Sequence, residues 1–221
     1  MRAVCASPEA ARSLGRVPSG GGAQTRAAAS GSSPRREGIR ARFPGHVTIR
    51  IRPGVPSLRT ASLVRALERG FAHVRARGDF RLVHYSLQST HTHLLVEATD
   101  AEALARGMMA IGARIARAVN RMFGRTGPVL AERFHVRPLR TPREVRNALA
   151  YVLLNARRHA TRLRGRAVVD PASSGRWFDG WRSTQVCDAR SLLIPVARAR
   201  TWLLTSGWRR HGLIDPGEVP G

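Results

Sequence analysis

Lysine is missing from this sequence: all 38 basic residues are arginine. A GC-rich genome that writes Arg wherever a cation will do accounts for that choice. It does not account for the scarcity of acids, only 14 Asp and Glu, which leaves a formal net charge of +24. Cysteine is almost absent as well. Cys5 and Cys187 stand far apart, so neither a disulfide framework nor a Cys-based zinc site is indicated, which fits a reducing compartment. No apolar run approaches the roughly 18 residues of a membrane span, and the N-terminal stretch lacks an apolar signal core. A basic membrane-surface protein would want an amphipathic basic helix or a lipidation signal, and neither is evident. A cytoplasmic location and no membrane partner are the expectation.

What is present is enough apolar material, 43% of 221 residues, for one domain with tails or two small ones. So large a positive excess repels itself unless a polyanion neutralises it, which makes DNA or RNA the natural partner.

Residues 1–42 read as a disordered basic tail, with Ser19-Gly20-Gly21-Gly22 and an aperiodic Ala, Ser, Gly and Arg run over Ala27 to Arg36. His46 to Arg52 alternates apolar with polar, as a half-buried strand does. A helical stripe follows within Leu58 to Arg77, then strands at Phe80 to Leu87 and at Leu94 to Ala98, the latter with His91 and His93 at its start. Asp100 is placed to cap a long helix, and Arg133 to Leu139 fits a fourth strand. Thr141, Pro142 and Glu144 read as N-cap, first helical residue and capping-box acid of a last helix reaching about Arg158. The first six elements follow the ferredoxin-like order. The expected fold is α+β: a ferredoxin-like sandwich, an antiparallel sheet of four to five strands with helices on one face and the other face free. Residues 43–160 would form this domain and 161–221 a partly ordered C-terminal extension, with Trp177, Phe178 and Trp181 as core caps rather than base-stacking groups.

Alternate residues of a strand share a face, so His91 and His93 point the same way and make half of a metal site. Taken alone, an H-x-H is more often a pair of solvated histidines. Tyr151 and Asn155 stand one helical turn apart and flank the apolar stripe of the last helix, at the border of core and solvent. Each also has a plain reading, a boundary aromatic with a wet hydroxyl and a surface amide. His46, His84 and His135 could sit near the site but read more readily as ordinary strand or surface histidines, and Glu97, which could tune metal or proton transfer, reads more readily as a solvated strand end. Arg133, Arg137 and Arg140 precede the last helix and are placed to touch phosphate.

The segment Tyr85-Ser86-Leu87-Gln88-Ser89-Thr90-His91-Thr92-His93-Leu94-Leu95-Val96 resembles the HUH segment of the single-tyrosine transposases, the REP-associated tyrosine transposases in particular. Ala150 to Arg158 is similar to their tyrosine helix, and Arg133-Phe134-His135-Val136-Arg137 to the basic strand before it. The resemblance spans roughly residues 43–160. It implies that His91, His93 and Asn155 hold a divalent metal, Mg²⁺ or Mn²⁺, and that Tyr151 is the nucleophile. It also implies cleavage and strand transfer on single-stranded or hairpin DNA in transposition, leaving a 5′-phosphotyrosine and a free 3′-hydroxyl. Metal and tyrosine suit the task, because a phosphodiester's charge repels attack and a phosphotyrosine keeps the bond energy for rejoining. A homodimer, with Tyr151 acting in cis or in trans, is compatible with it.

Three departures from the family pattern stand out. Thr92 is less bulky than the usual residue between the histidines, Ser89-Thr90 replaces a Pro-Asn pair, and Ala156 replaces a Pro after the helix Asn. None removes a catalytic atom. The rival reading is a non-catalytic nucleic-acid-binding protein, a domesticated transposase on the same sheet. An RNA-recognition domain would want aromatic platforms on its central strands, where this chain offers His91, His93 and Leu95. A hydrolase using water normally wants carboxylate ligands, which an acid-poor chain supplies sparingly.

Overall fold

The computed structural model describes residues 41–159, 169–183 and 193–220. Apart from residues 41 and 42, the tail expected over 1–42 lies outside the described residues, as do 161–168 and 184–192 of the extension.

The alternating segment forms strand β1 (Gly45–Arg50). Helix α1 (Ala61–Ala72) follows and buries Leu63, Leu67 and Phe71 on one stripe. It is shorter than the apolar pattern because the chain turns out of it after Phe71, whose carbonyl accepts the Val74 N–H, to make a two-residue strand β2 (Ala76–Arg77) that periodicity did not reveal. β3 (Phe80–Leu87) and β4 (His91–Ala98) form a hairpin. Helix α2 (Ala101–Met122) starts on Asp100, whose carboxylate accepts the N–H groups of Glu102 and Ala103. β5 (His135–Pro138) leads into helix α3 (Pro142–His159). The capping box is formed as expected: Thr141 Oγ1 accepts the Glu144 N–H at 3.2 Å and Glu144 accepts the Thr141 N–H at 3.1 Å.

The sheet is five-stranded and antiparallel, in the order β2-β3-β4-β1-β5. This is the α+β, ferredoxin-like arrangement that the element order predicts. One face, carrying Val47, Ile49, Leu82, Tyr85, Leu94 and Val96, packs under α1 and α2. Gly107 allows the close approach of α2, since a Cβ there would lie 2.3 Å from the Phe80 ring.

The opposite face is not free, and here the expectation of helices on one face is corrected. Leu95 and Val83 point to it and form a second core with Val145, Leu149, Val152 and Leu153 of α3. The C-terminal segment closes that core with Phe178, Trp181, Leu203, Leu204 and Trp208. Two apolar residues on the second face of the central strands would otherwise sit in water, and α3 presents a matching stripe. Phe178 and Trp181 are therefore core residues, as expected, and part-buried Trp177 packs against the first core.

Polar ties join the extension to the domain. Arg59 donates both ends of its guanidinium to buried Asp170, at 2.8 and 2.9 Å. Arg176 pairs with Glu68, a buried acid that also accepts the Tyr85 hydroxyl at 2.9 Å. Among the described residues no helix is long and apolar enough to cross a membrane.

Candidate active site

At one end of the second face, α3 leaves the sheet uncovered by apolar packing. Directly opposed residues of an antiparallel pair share a face, and β1 is registered so that Thr48 opposes His93 and Arg50 opposes His91. On its other edge β1 pairs with β5, setting His46 against Arg137 and Thr48 against His135. Polar side chains from β1, β4 and β5 are thereby gathered on one surface.

His91 and His93 are brought together as the alternation requires, with ring centroids 4.7 Å apart. Tyr151 reaches the same place from α3. Its ring centroid is 5.0 Å from that of His93, edge to face, and its hydroxyl lies 3.5 Å from His93 Nε2. The other ring nitrogen, Nδ1, lies 3.2 Å from Thr48 Oγ1 and 3.3 Å from His46 Nε2. Thr92, between the histidines, points to the opposite face, fully buried, and its hydroxyl donates to the Ser86 carbonyl at 3.0 Å. A threonine is thus accommodated where a bulkier apolar residue is usual, because its one polar atom is satisfied.

Asn155 is not the surface amide of the plain reading. It is 0% exposed, one turn along α3 from Tyr151, and neither its Oδ1 nor its Nδ2 has a hydrogen-bond partner. An amide buried without partners costs about 1–3 kcal/mol. An orphaned, buried carbonyl oxygen is one that a bound water or ion would satisfy. Among the described residues no group of three or more His, Cys, Asp or Glu is arranged to hold a metal; a site here would need the amide oxygen beside the two imidazoles.

His46 is a correction to the plain reading of it as an ordinary strand histidine. Its ring lies 5.3 Å from His93 and 5.7 Å from Tyr151. Burial first, then the charges of Arg137 and His135, lower its pKa to about 4, so the ring is neutral at neutral pH. Thr48 was not singled out by the sequence at all. The same β1 alternation that buries Val47 and Ile49 puts both on the polar face, but only the β1–β4 register places them beside His93.

His84 lies elsewhere, enclosed under Phe178 at 5.3 Å and 3.1 Å from Ser174 Oγ. His135 is exposed on β5. Glu97 is also corrected: it is buried, and its carboxylate accepts the backbone N–H groups of Arg200 and Thr201 and the Thr201 hydroxyl. It anchors the extension and does not face water. Arg133, Arg137 and Arg140 are all exposed, and Arg137 donates to Glu144 at 3.3 Å.

An open cleft of about 540 Å³ borders the histidines, lined by Thr48, Arg50, Pro53, Thr90, His91 and His93 among others.

No family model matches the chain, and no curated protein sequence matches it. Among solved structures it is similar to a REP-associated tyrosine transposase bound to a REP hairpin. The TM-score is 0.51 at 16% identity, over 65% of this chain and 82% of that one. The fold is shared. At this identity the likeness is one of architecture, and the chemistry has to be argued from the side chains.

Proposed function

We propose that this chain is a metal-dependent single-strand DNA nuclease and strand transferase of the single-tyrosine HUH type, acting on single-stranded or hairpin DNA in transposition. The observation that carries the reading is the convergence of His91, His93 and Tyr151 from two separate elements on one polar surface. The transposase fold similarity and the hairpin bound to that neighbour support DNA as the partner.

The residues present fit a divalent cation. Two imidazoles share a face, and the unpaired, fully buried amide of Asn155 lies one turn from Tyr151. In this reading His91, His93 and Asn155 would hold Mg²⁺ or Mn²⁺, and the bound ion would supply Lewis-acid charge withdrawal from the phosphodiester. With its proton on Nδ1, His93 donates toward Thr48 Oγ1 and His46 Nε2, and its Nε2 presents a lone pair to the site. Neutral His46 is able to accept that bond.

Tyr151 supplies the nucleophile. Its oxygen forms a bond to phosphorus as the bond from phosphorus to the departing 3′-oxygen breaks. The phenol proton passes to water, and the departing oxygen takes up a proton as the free 3′-hydroxyl. The 5′-phosphate stays esterified to the enzyme, and the reverse attack by a 3′-hydroxyl rejoins a strand. Arg133, Arg137 and Arg140 would track the phosphate backbone near the end of the sheet where β5 enters α3.

The test is covalent capture. Wild-type chain incubated with a labelled hairpin that carries a single-stranded flank and Mn²⁺ should give a protein–DNA adduct resistant to denaturation. Binding of the same DNA with no cleavage under Mg²⁺ or Mn²⁺ would instead support the non-catalytic binding protein.

A further inference from the structure

The C-terminal extension carries a second feature suited to nucleic acid, away from the histidine and tyrosine cluster. Trp202 is 50% exposed, whereas Trp181 and Trp208 are 5% and 1% exposed. The core is closed without it. A tryptophan left half in water forgoes burial that its neighbours obtain.

The ring is held in place. Trp202 is the first residue of a short helical turn, α4 (Trp202–Thr205), capped by Thr201. The backbone N–H groups of Arg200 and Thr201 are fixed on the buried carboxylate of Glu97. On one side the ring lies against Gly207, where a Cβ would come within 2.8 Å of it. The Arg210 guanidinium stacks over it, 4.9 Å from the ring centroid. From Leu193 to Ile214 the segment holds Arg198, Arg200, Arg209 and Arg210 and no Asp or Glu. Arg198, Arg200 and Arg210 are exposed, while Arg209 pairs with Asp179 at 3.0 Å.

We propose that Trp202 and Arg210 form a stacking platform for an unpaired base of single-stranded DNA, a contact separate from the cleavage site. The partner is fixed by two properties together. The arginine-rich segment asks for a polyanion, and the half-exposed indole with Arg210 over it asks for a flat π-face to extend the stack. A single strand offers both, whereas in a duplex the base faces are already stacked. This inference rests on the nucleic-acid-binding part of the reading above and not on cleavage.

The test uses the full chain carrying Tyr151→Phe, so that no cleavage intervenes. Affinity is measured by fluorescence anisotropy for a mixed-sequence single strand, for an abasic strand of equal length, and for a blunt duplex. Adding Trp202→Ala should weaken binding of the base-bearing strand by about 5- to 100-fold, the range expected for removal of one stacked base. It should leave the abasic strand and the duplex within about twofold, and Trp202→Phe should recover most of the loss. Arg210→Gln should shift affinity in the same direction. Equal binding by Trp202→Ala and its parent, or equal losses on all three ligands, would overturn the proposal. Should Trp202→Ala fail to fold, the parent decides. Its tryptophan emission should be quenched by the base-bearing strand and not by the abasic one, and absence of that difference would overturn the proposal. The cleavage reading stands or falls separately: a wild-type chain that never forms the covalent adduct would sink it and leave these binding differences in place.

Discussion

Thr48 and His93 face each other across the β1–β4 ladder, with Thr48 Oγ1 3.2 Å from His93 Nδ1. A ligating imidazole needs its far nitrogen held so that the near one presents a lone pair. Thr48→Val removes the oxygen at nearly constant shape. Mn²⁺ affinity, read by electron paramagnetic resonance of the free ion, should fall about 10- to 100-fold, and Thr48→Ser should restore it. Unchanged Mn²⁺ binding in Thr48→Val would separate Thr48 from any role in orienting His93.

His84 predicts an acid-sensitive stability. Burial lowers its pKa from 6.5 to about 4, with Asp179 opposing weakly. The folded state therefore favours the neutral ring, and between these two values the unfolded chain binds more protons. The contribution is complete above pH 6.5 and is lost as pH falls toward 4, at up to about 1.4 kcal/mol per pH unit. Urea midpoints of the wild type should drop through this window, and those of His84→Gln should drop less steeply. Parallel pH profiles for the two proteins would contradict the assignment.

The architecture was legible because its signals are local. The alternation of His46 to Arg52, the Asp100 cap and the Thr141–Glu144 capping box each specify their own element, and the order of elements limits the sheet to few topologies. The pairing of His91 with His93 and of Tyr151 with Asn155 is likewise local, following from a two-residue and a four-residue period. What the sequence left unread depends on contacts between distant segments. His46 and Thr48 become site residues only through the register of β1 on β4. Glu97 looks solvated until Arg200 and Thr201, about a hundred residues later, bring their N–H groups to it. The second face looked free because Leu95 and Val83 sit inside apolar runs, Leu94–Val96 and Leu82–Val83, whose other members fill the first core, and because part of their cover comes from a C-terminal segment without a regular period.

The buried carboxylate of Glu97 gives a stability prediction of its own. It accepts from the Arg200 N–H, the Thr201 N–H and the Thr201 hydroxyl. Glu97→Ala leaves these donors without a partner and should cost about 2–4 kcal/mol in chemical denaturation, since bonds to a charged group are the stronger kind. A loss under about 0.5 kcal/mol would mean that the extension is not held there.

The exposed arginines of β5 and its exit predict salt behaviour. Each arginine that neutralises one phosphate of a single strand adds about 0.7 to the steepness of log affinity against log salt. Arg137→Ala and Arg140→Ala should each flatten the slope by roughly that amount and weaken binding similarly across sequences. A slope unaltered by both together would place the phosphates elsewhere.

Under the proposed function, cleavage rests on one oxygen atom. The sequence holds two tyrosines, and their surroundings differ. Tyr85 is fully buried, its hydroxyl donates to Glu68, and burial with that carboxylate pushes its pKa well above the usual phenol value. Tyr85→Phe should therefore cost stability, about 1–2 kcal/mol, and leave the chemistry in place. Tyr151 stands at the histidines, with its hydroxyl 3.5 Å from His93 Nε2. The decisive measurement is denaturing-gel capture of labelled hairpin DNA in Mn²⁺ by wild type, Tyr85→Phe and Tyr151→Phe. An adduct is expected with the first two and none with the third, while all three bind the DNA. A full yield of adduct from Tyr151→Phe would contradict the assignment of the nucleophile.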